Sequence, residues 1–344
     1  MKRGRINLLL TIFLILLLTM AACDIATDTI PPKDYHSELV VHFIDVGQGD
    51  STLVQLPNGE VALIDGGARN AKDKVVEYIK GLGIEEIDYI IATHPHEDHI
   101  GGLPHVIRNF IIHKIYMPNR TANTLVFEEL LLEIEKKNLK IDIVKAKDYI
   151  IDEEGLKVYF LAPNRDDYSQ TNDFSIVTKI DYLKNSLIIA GDAEESSEID
   201  MVNSNLDLRA DLLRVGHHGG RSSSTEGFLN KVNPKYSIIS VGRDNNYGHP
   251  HEETLERLSK VGTEILRTDQ VGDIVFVSDG QKWRYESKIT AGSIEEATYI
   301  GNKNTKVFHS RGCNSLPDKE NQIYFKTILE AEKNGYRPHK NCVK

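Results

Sequence analysis

The stretch "THPHEDHIGG", residues 93–102, decides the fold of this chain, because it sets three histidines, a glutamate and an aspartate in six consecutive positions before two glycines. The apolar segment "IEEIDYIIAT" leads into it and has the pattern of a buried β-strand. Imidazole and carboxylate groups in a loop after such a strand are the ligands that borderline divalent metals accept. The stretch therefore predicts two adjacent divalent ions, Zn or Mn. The predicted ligands are His94 and His96 for the first ion, and Asp98 and His99 for the second.

On both sides of this loop, short apolar runs alternate with amphipathic helical patterns. The runs "ELVVHFIDV" and "EVALIDGG" predict strands, and "AKDKVVEYIKGLG" predicts an amphipathic helix that ends at glycines. The alternation continues as far as "GDIVFVSDGQKWRYES". About 250 residues in this order fit one α/β domain with two sheets and outer helices, which we place at residues 39–288.

The N-terminal segment has the pattern of an export signal. Basic residues at positions 2, 3 and 5 precede an apolar run over residues 8–18, which is too short to span a bilayer comfortably. The residues "MAAC" that follow resemble the lipobox of bacterial lipoproteins, which implies a signal peptide over 1–22, lipidation of Cys23 and a tether over 23–38. The alternatives are an ordinary secretory signal and a retained membrane anchor. Lipidation would make the protein extracytoplasmic and anchor it to the membrane.

Charge is distributed unevenly along the chain. The whole sequence has 41 basic and 51 acidic residues, but from Ala297 to the end nine basic residues accompany four acidic ones. This asymmetry indicates a second module over 297–344, joined by a linker over 289–296 and suited to a polyanion. A solvated basic surface explains the charge equally well. The acidic remainder argues against strong nonspecific DNA binding by the larger domain itself.

Six further motifs follow one another along the larger domain. In chain order they are "FIDVGQGDS", "LIDGG", "NDFSIV", "LIIAGDAE", "LLRVGHHGG" and "SVGRDNNYGHP". With the H-x-H-x-D-H loop they resemble the metallo-β-lactamase superfamily, in the order of the C-terminal hydrolase domain of the competence protein ComEC. The resemblance covers about residues 39–288 and implies an αβ/βα four-layer sandwich with metals at the sheet edge.

The resemblance also implies roles for individual side chains. Asp192 would bridge the two ions, and a histidine of "VGHHGG" would complete the second one. We favour His217 for this position and keep His218 as the alternative. Asp65 is expected to organise the loop through hydrogen bonds and not to touch metal. The predicted catalytic residues are Asp98, His218 and His249.

The first ion lacks one ligand of the superfamily pattern. That pattern supplies a histidine before the bridging aspartate, but no histidine occurs between positions 113 and 217. Asn172 or Asp173 is expected nearby, which leaves the ion underligated or coordinated by water. His249 is expected to donate a proton to a leaving group or to hold a phosphate oxygen. The predicted substrate-binding residues are Asp50, Arg243 and Asn246, with a solvated loop as the alternative for the last two.

The basic tail carries a second set of metal ligands. Its sequence resembles the small metal-binding module of the DNA-repair protein Ada, with "RPHKNC" where that module has a cysteine in place of the histidine. The paired spacings suit one structural zinc ion in a tetrahedral site. A disulfide between the two cysteines is the alternative, and it would be reasonable in an exported protein. The predicted ligands are His309, Cys313, His339 and Cys342.

Together these features predict an exported metal-dependent hydrolase. The expected substrate is a phosphodiester of extracellular DNA, cleaved by a hydroxide that the two metals activate. One alternative is a lactone, ester or β-lactam hydrolase, since the fold alone does not decide the chemistry. Another is a cell-surface DNA-binding protein with little catalysis. The expected partners are nucleic acid and, through the lipid anchor, the bacterial membrane; no protein partner can be inferred.

Overall fold

The computed structural model describes residues 37–286 and, in the tail, residues 299–343 apart from positions 312, 314, 319, 320, 326, 327, 329, 330, 332, 333 and 341. The predicted signal peptide, the lipidation site Cys23, the tether up to residue 36 and the predicted linker lie outside the described residues. Among the described helices, none combines the length and the apolar character needed to cross a membrane.

The strands form three sheets. In chain order they are β1 (Leu39–Phe43), β2 (Thr52–Gln55), β3 (Val61–Ile64), β4 (Glu86–Ile91), β5 (Ile111–Met117), β6 (Ile141–Ile143), β7 (Tyr149–Glu153), β8 (Leu156–Ala162), β9 (Val177–Tyr182), β10 (Asn185–Ile189), β11 (Leu212–Arg214), β12 (Tyr236–Ile239), β13 (Glu264–Arg267), β14 (Ile274–Ser278), β15 (Trp283–Glu286), β16 (Tyr299–Asn302), β17 (Val307–Ser310), β18 (Gln322–Phe325) and β19 (Arg337–Pro338). The first sheet has the order β15-β14-β1-β2-β3-β4-β5-β6, the second β13-β12-β11-β10-β9-β8-β7, and the third β18-β16-β17-β19.

Helices connect the strands of the first two sheets. They are α1 (Lys72–Gly81), α2 (Glu97–Ile100), α3 (Leu103–Asn109), α4 (Leu125–Lys136), α5 (Glu195–Asn203), α6 (Glu226–Val232), α7 (Glu252–Lys260) and α8 (Thr268–Val271). Side-chain caps fix where two of them begin: Thr124 accepts a hydrogen bond from the backbone N–H of Phe127, and Thr225 accepts one from that of Phe228. Such caps satisfy backbone donors that the first turn of a helix leaves unpaired.

Alternation along the strands builds the layers. In β4, Tyr89 and Ile91 belong to the core between the two sheets, whereas Ile87 and Ile90 belong to the core beneath the outer helices. Strands that bury both faces read as nearly continuous apolar runs, which is why these segments are so easily recognised in the sequence. Helices α1, α3 and α4 cover the outside of the first sheet, and α5, α6 and α7 cover the second. The predicted αβ/βα four-layer sandwich is confirmed.

The parallel strands of both sheets bring their following loops to one edge. Strands β3 to β6 run parallel in the first sheet, and β10 to β13 run parallel in the second. The loops after β3, β4, β10 and β11 carry Asp65, the 93–102 stretch, Asp192 and the histidine pair at 217 and 218. The backbone N–H of Ile176 donates to the carbonyl of Thr93 at 3.0 Å, which ties the two sheets together there. Loops at the carboxyl ends of parallel strands are common sites of ligand binding.

The tail forms a small unit around the third sheet. Strand β16 pairs antiparallel with β17 and β18, and β17 pairs parallel with β19. Phe308, Phe325 and Tyr336 are buried with Ala331 and Val343 in a core of their own. A core of this size is small for an independent fold, and such units usually need a metal or disulfide.

Candidate active site

The two glycines that end the 93–102 stretch allow two loops to touch. A Cβ atom on Gly102 would collide with the carbonyl oxygen of Gly66, and one on Gly101 would collide with the backbone of Ala68 and Arg69. Backbone hydrogen bonds join the two loops: the N–H of Gly66 donates to the carbonyl of His99 at 2.7 Å, and the N–H of Gly102 donates to the carbonyl of Gly67 at 2.9 Å. This contact holds the histidine loop against the loop after β3.

His99 is held in one tautomer by Asp65. Its Nδ1 donates to Asp65 Oδ2 at 2.7 Å, while the backbone N–H and the hydroxyl of Thr93 donate to the same carboxylate at 2.8 and 2.6 Å. With the proton on Nδ1, the lone pair of Nε2 faces Asp192 Oδ2, 3.2 Å away. Asp65 therefore organises the loop as predicted, in the way that outer carboxylates orient metal-binding histidines.

His218, not His217, joins this group, so the structure corrects our preference for His217. The Nδ1 of His218 donates to the carbonyl of Ser240 at 2.9 Å, and its Nε2 lies 3.1 Å from Asp98 Oδ2 and 3.7 Å from Asp192 Oδ1. Both histidines have left-handed backbones, with φ of 50° and 52°. Two such residues in succession are strained, and strain of this kind is concentrated at functional sites.

His217 and His94 approach the same carboxylate oxygen, Oδ2 of Asp192. The Nε2 of His217 is 3.9 Å from Asp192 Oδ2, and its Nδ1 is 2.9 Å from Glu194 Oε1. His94 Nε2 lies 3.0 Å from His96 Nδ1 and 3.8 Å from Asp192 Oδ2. His94 and His96, the predicted ligands of the first ion, therefore share the surroundings of Asp192 with His217.

Of the two residues expected near the first ion, Asn172 lies next to His217 and Asp173 does not. The Nδ2 of Asn172 donates to Glu194 Oε1 at 3.1 Å and lies 3.5 Å from His217 Nε2. Asp173 turns away and accepts a hydrogen bond from the backbone N–H of Ser197 at 3.0 Å. Asn172 and Glu194 together fix the orientation of His217.

The buried charges favour a cation between the carboxylates. Although burial opposes a charge on His99, the carboxylates of Asp192, Asp65 and Asp98 raise its pKa well above the usual value. Burial likewise opposes a charge on Asp192, but His99 and His218 bring its pKa well below the usual value. Positive charge is therefore stabilised at this point, and a divalent ion would supply it.

Asp50 is part of this buried group and does not line a cleft, which corrects its predicted role in substrate binding. Only 3% of its surface is exposed, and its carboxylate contacts the guanidinium of the fully buried Arg214. One ligand atom from each of Asp50, His99, Asp192 and His218 lies within 4.8 Å of those of the others. Sequence reasoning placed no role on Arg214, whose partner lies far away in the chain.

The donors around Asp192 fit a borderline divalent ion. Carboxylates and imidazoles suit both Zn and Mn. The bonds to Asp65 and Ser240 turn the lone pairs of His99 and His218 towards the carboxylates, as ligation requires. Burial lowers the pKa of His94, which favours the neutral ring that ligation requires. The residues Asp50, His99, Asp192 and His218 can therefore hold a metal ion, and a second ion at His94 and His96 stays a prediction.

The loop after β12 borders the site. His249 is half-buried, with its ring centroid 5.1 Å from that of His217, and burial followed by the charges of neighbouring histidines lowers its pKa to about 4. Arg243 and Asn246, predicted to bind substrate, are both exposed, and Arg243 donates to the carbonyl of Asp269 at 3.1 Å. Asn245 organises this loop, and neither it nor Tyr247 was among the predicted residues. The sequence could have pointed to Tyr247, because a large aromatic residue stands out in a loop that is otherwise rich in Gly, Asn and Asp.

The predicted ligands of the tail also lie together. His309 Nδ1 is 3.4 Å from Cys313 Sγ, and His339 Nδ1 is 3.2 Å from Cys342 Sγ and 3.6 Å from Cys313 Sγ. Both thiols are free, so the structure contains the metal-binding arrangement and not the alternative disulfide. Burial opposes thiolate formation at Cys342, but hydrogen bonds with Cys313 and His339 lower its pKa to about 7. A thiolate of this kind is the form that binds zinc.

Two family models match the chain. The model of the metallo-beta-lactamase superfamily matches residues 44–243, and the model of the metal binding domain of Ada matches residues 291–344. The resemblances predicted for the two parts of the chain are confirmed. The predicted boundaries of the domains stay predictions.

Known relatives include competence proteins. The chain is 30% identical over 275 residues to the ComE operon protein 3 of Bacillus subtilis (strain 168), which is 75% of this chain and 34% of that protein. It is 28% identical over 241 residues to competence protein ComA of Neisseria gonorrhoeae, covering 70% of this chain and 32% of that protein. The chain thus matches about a third of each relative's length. Among solved structures, the metallo-beta-lactamase fold protein YhfI from Bacillus subtilis has a TM-score of 0.46 and 13% identity, covering 70% of this chain and 100% of that one.

Proposed function

Because the chain belongs to the metallo-beta-lactamase superfamily, we propose that it is an exported metal-dependent phosphodiesterase that cleaves nucleic acid. The hydrolase fold and its metal-binding residues are general features of the chain, and the phosphodiester substrate is the specific part of the proposal. A carboxylic ester, lactone or β-lactam would be cleaved by similar chemistry, so the substrate must be decided by experiment.

The observation that carries the proposal is the position of Asp192. It is almost fully buried, and its two oxygens face histidines from both motifs: Oδ2 faces His94, His99 and His217, and Oδ1 faces His218. Two divalent ions bound among these groups would activate water and neutralise charge on phosphoryl oxygens. Asp192 would hold both ions, while Asp65 and Ser240 keep the histidine rings oriented. His249 borders this centre and is placed to hydrogen-bond a substrate oxygen.

The relatives favour nucleic acid as the substrate. One of them, from Neisseria gonorrhoeae, is named competence protein ComA, and another, from Haemophilus influenzae, is named recombination protein 2. Competence and recombination both handle DNA. Since this chain matches only about a third of their length, it would contribute the hydrolytic part of such a process.

We propose further that the protein is a membrane-anchored lipoprotein outside the cytoplasm, with Cys23 as the lipidated residue. The support is the N-terminal sequence alone. Replacing Cys23 by alanine should release or mislocalise the protein, which fractionation and labelling with a fatty-acid analogue would show. A Cys23→Ala protein that stays in the membrane with its N-terminus intact would establish the anchor in place of the lipid.

Hydrolysis assays separate the candidate functions. The full-length protein is offered single-stranded DNA, an activated carboxylic ester and a β-lactam, each with Mn²⁺ or Zn²⁺, beside the Asp192→Ala variant. The proposal expects metal-dependent cleavage of DNA that the variant loses. Cleavage of the ester or lactam alone would establish the alternative hydrolase, and DNA binding without any cleavage would establish a binding protein.

A further inference from the structure

Tyr247 occupies a distinctive place beside the predicted metal centre. Two thirds of this residue is exposed, 66%, although its ring is large and apolar. The ring stacks on His249 with a centroid distance of 5.7 Å and an interplanar angle of 25°, and His249 stacks on His218 at 6.1 Å and 27°. A row of three rings therefore leads from the surface to a histidine whose Nε2 lies 3.1 Å from Asp98 Oδ2.

The loop that carries Tyr247 is held in place by one asparagine. Asn245 Oδ1 accepts hydrogen bonds from the backbone N–H groups of Tyr247 and His249 at 3.1 and 3.0 Å. Its Nδ2 donates to the carbonyls of Gly242 and His249 at 3.0 and 2.7 Å. Because the backbone on both sides of Tyr247 is fixed, little conformational entropy is lost when a ligand meets its ring.

From this arrangement we infer that Tyr247 is a stacking platform for an unpaired nucleobase next to the scissile phosphodiester. The inference rests on the proposed function and narrows the proposed substrate from nucleic acid in general to single-stranded nucleic acid. Every base presents a flat π-face, so stacking on an exposed aromatic ring tolerates any sequence. Bases inside a duplex are already stacked on one another, and a single strand leaves them available. Arg243, exposed on the same loop, adds positive charge that suits the phosphate backbone.

Binding to two oligonucleotides of equal length tests this inference. One is oligothymidylate, and the other has the same phosphates with abasic sugars in place of the nucleosides. Fluorescence anisotropy measures both in the full chain, with Asp192→Ala as background to prevent cleavage. Tyr247→Ala should weaken binding of oligothymidylate about tenfold, which corresponds to roughly 1.4 kcal/mol, and leave the abasic strand unchanged. Tyr247→Phe keeps the ring and should bind like the parent.

Tyr149 provides the matched control. It is also exposed, at 47%, and also stacks on a second ring, that of Tyr159, but it lies on strand β7. Tyr149→Ala should leave both affinities unchanged. Equal effects of Tyr247→Ala on the two oligonucleotides, no effect on either, or no binding of either would overturn the inference.

Cleavage is measured separately with the native protein, so that the two proposals can fail independently. If the native protein cleaves neither strand, yet binding depends on Tyr247 and on the bases, the phosphodiesterase proposal is wrong and the stacking platform stands. If the native protein cleaves DNA but Tyr247→Ala shows no base-dependent loss, the platform is wrong and the phosphodiesterase stands.

Discussion

The two ligand clusters of this chain differ in how much protein surrounds them. At Asp192, the central residues are buried, and the Nδ1 groups of His99 and His218 donate to Asp65 and to the carbonyl of Ser240, respectively. In the tail, His309 is buried but the other three ligands are only partly so. The first cluster belongs to a domain with large apolar cores, and the second belongs to a small core that a metal would complete. The difference predicts that metal serves chemistry in one place and folding in the other.

The largest expected effect is on hydrolysis by the cluster at Asp192. Asp192→Ala should reduce cleavage to the background rate, because one carboxylate borders both predicted ions. Circular dichroism should show an intact fold, since the two sheets have their own apolar core. Full activity at saturating metal in this variant would remove Asp192 from the centre of the mechanism.

A large effect on folding is expected only in the tail. The double variant Cys313→Ser and Cys342→Ser removes both thiolates and should unfold residues 299–343, with loss of one zinc ion per chain. Hydrolysis of a small phosphodiester should stay nearly unchanged, whereas binding to long DNA should weaken in a salt-dependent way. Limited proteolysis measures whether the tail is folded, and elemental analysis measures its zinc content. A tail that stays folded and protease-resistant without zinc would contradict the comparison.

A smaller effect is expected for the outer carboxylate of the first cluster. Asp65→Asn keeps the shape of the side chain but removes its charge and introduces an amide N–H₂. That group would face three donors, the backbone N–H and hydroxyl of Thr93 and the Nδ1–H of His99. Metal affinity should fall about 10- to 100-fold, the usual cost of losing such a partner. Asp73→Asn is the matched control, because Asp73 contacts His105 Nε2 at 3.1 Å on the surface. Titration calorimetry on both variants is the measurement, and equal affinities would show that Asp65 plays no part.

The last effect concerns the stability of the fold and not metal binding or hydrolysis. Glu198 accepts backbone hydrogen bonds from Ser224 and Thr225, but burial raises its pKa from 4.5 to about 7 in the folded protein. The folded state then binds more protons than the unfolded state between these values, so stability should fall as pH rises through this window, by roughly 3 kcal/mol. Urea unfolding of metal-free protein at pH 4.5 and 8 measures the slope.

Glu198→Gln should reduce that slope, because this side chain no longer contributes to the pH dependence. Glu226→Gln is the control, since the carboxylate of Glu226 is exposed and pairs with Lys260 at 2.7 Å. It should leave the slope as it is in the native protein. A slope that is the same in all three proteins would show that Glu198 titrates normally.

The fold was predictable from the sequence because strands with both faces buried leave long apolar runs. Two of the four residues whose ligand atoms lie together, His99 and Asp192, were also predicted as metal ligands, because each lies in a motif that follows a buried strand. Residues whose role depends on distant partners were not. Asp50 resembled a cleft residue until the fold placed it against Arg214.

The choice between the two adjacent histidines was also beyond the sequence. His217 and His218 diverge because two successive residues adopt left-handed backbones, which composition does not reveal for non-glycine residues. The same limit applies to the loop after β12. Asn246 was predicted and Asn245 organises the loop, because hydrogen bonds to the backbone depend on a conformation and not on residue type.

Metal content is the most direct test of the central claim, that Asp192 holds a two-metal centre independent of the tail. The full chain, the Cys313→Ser and Cys342→Ser double variant and the Asp192→Ala variant are loaded with Zn²⁺, desalted and measured by elemental analysis. We expect about three, two and one metal ions per chain, respectively, from two ions at Asp192 and one in the tail. An Asp192→Ala protein that keeps all three ions, or a double variant that loses the ions of the hydrolase domain, would contradict the account.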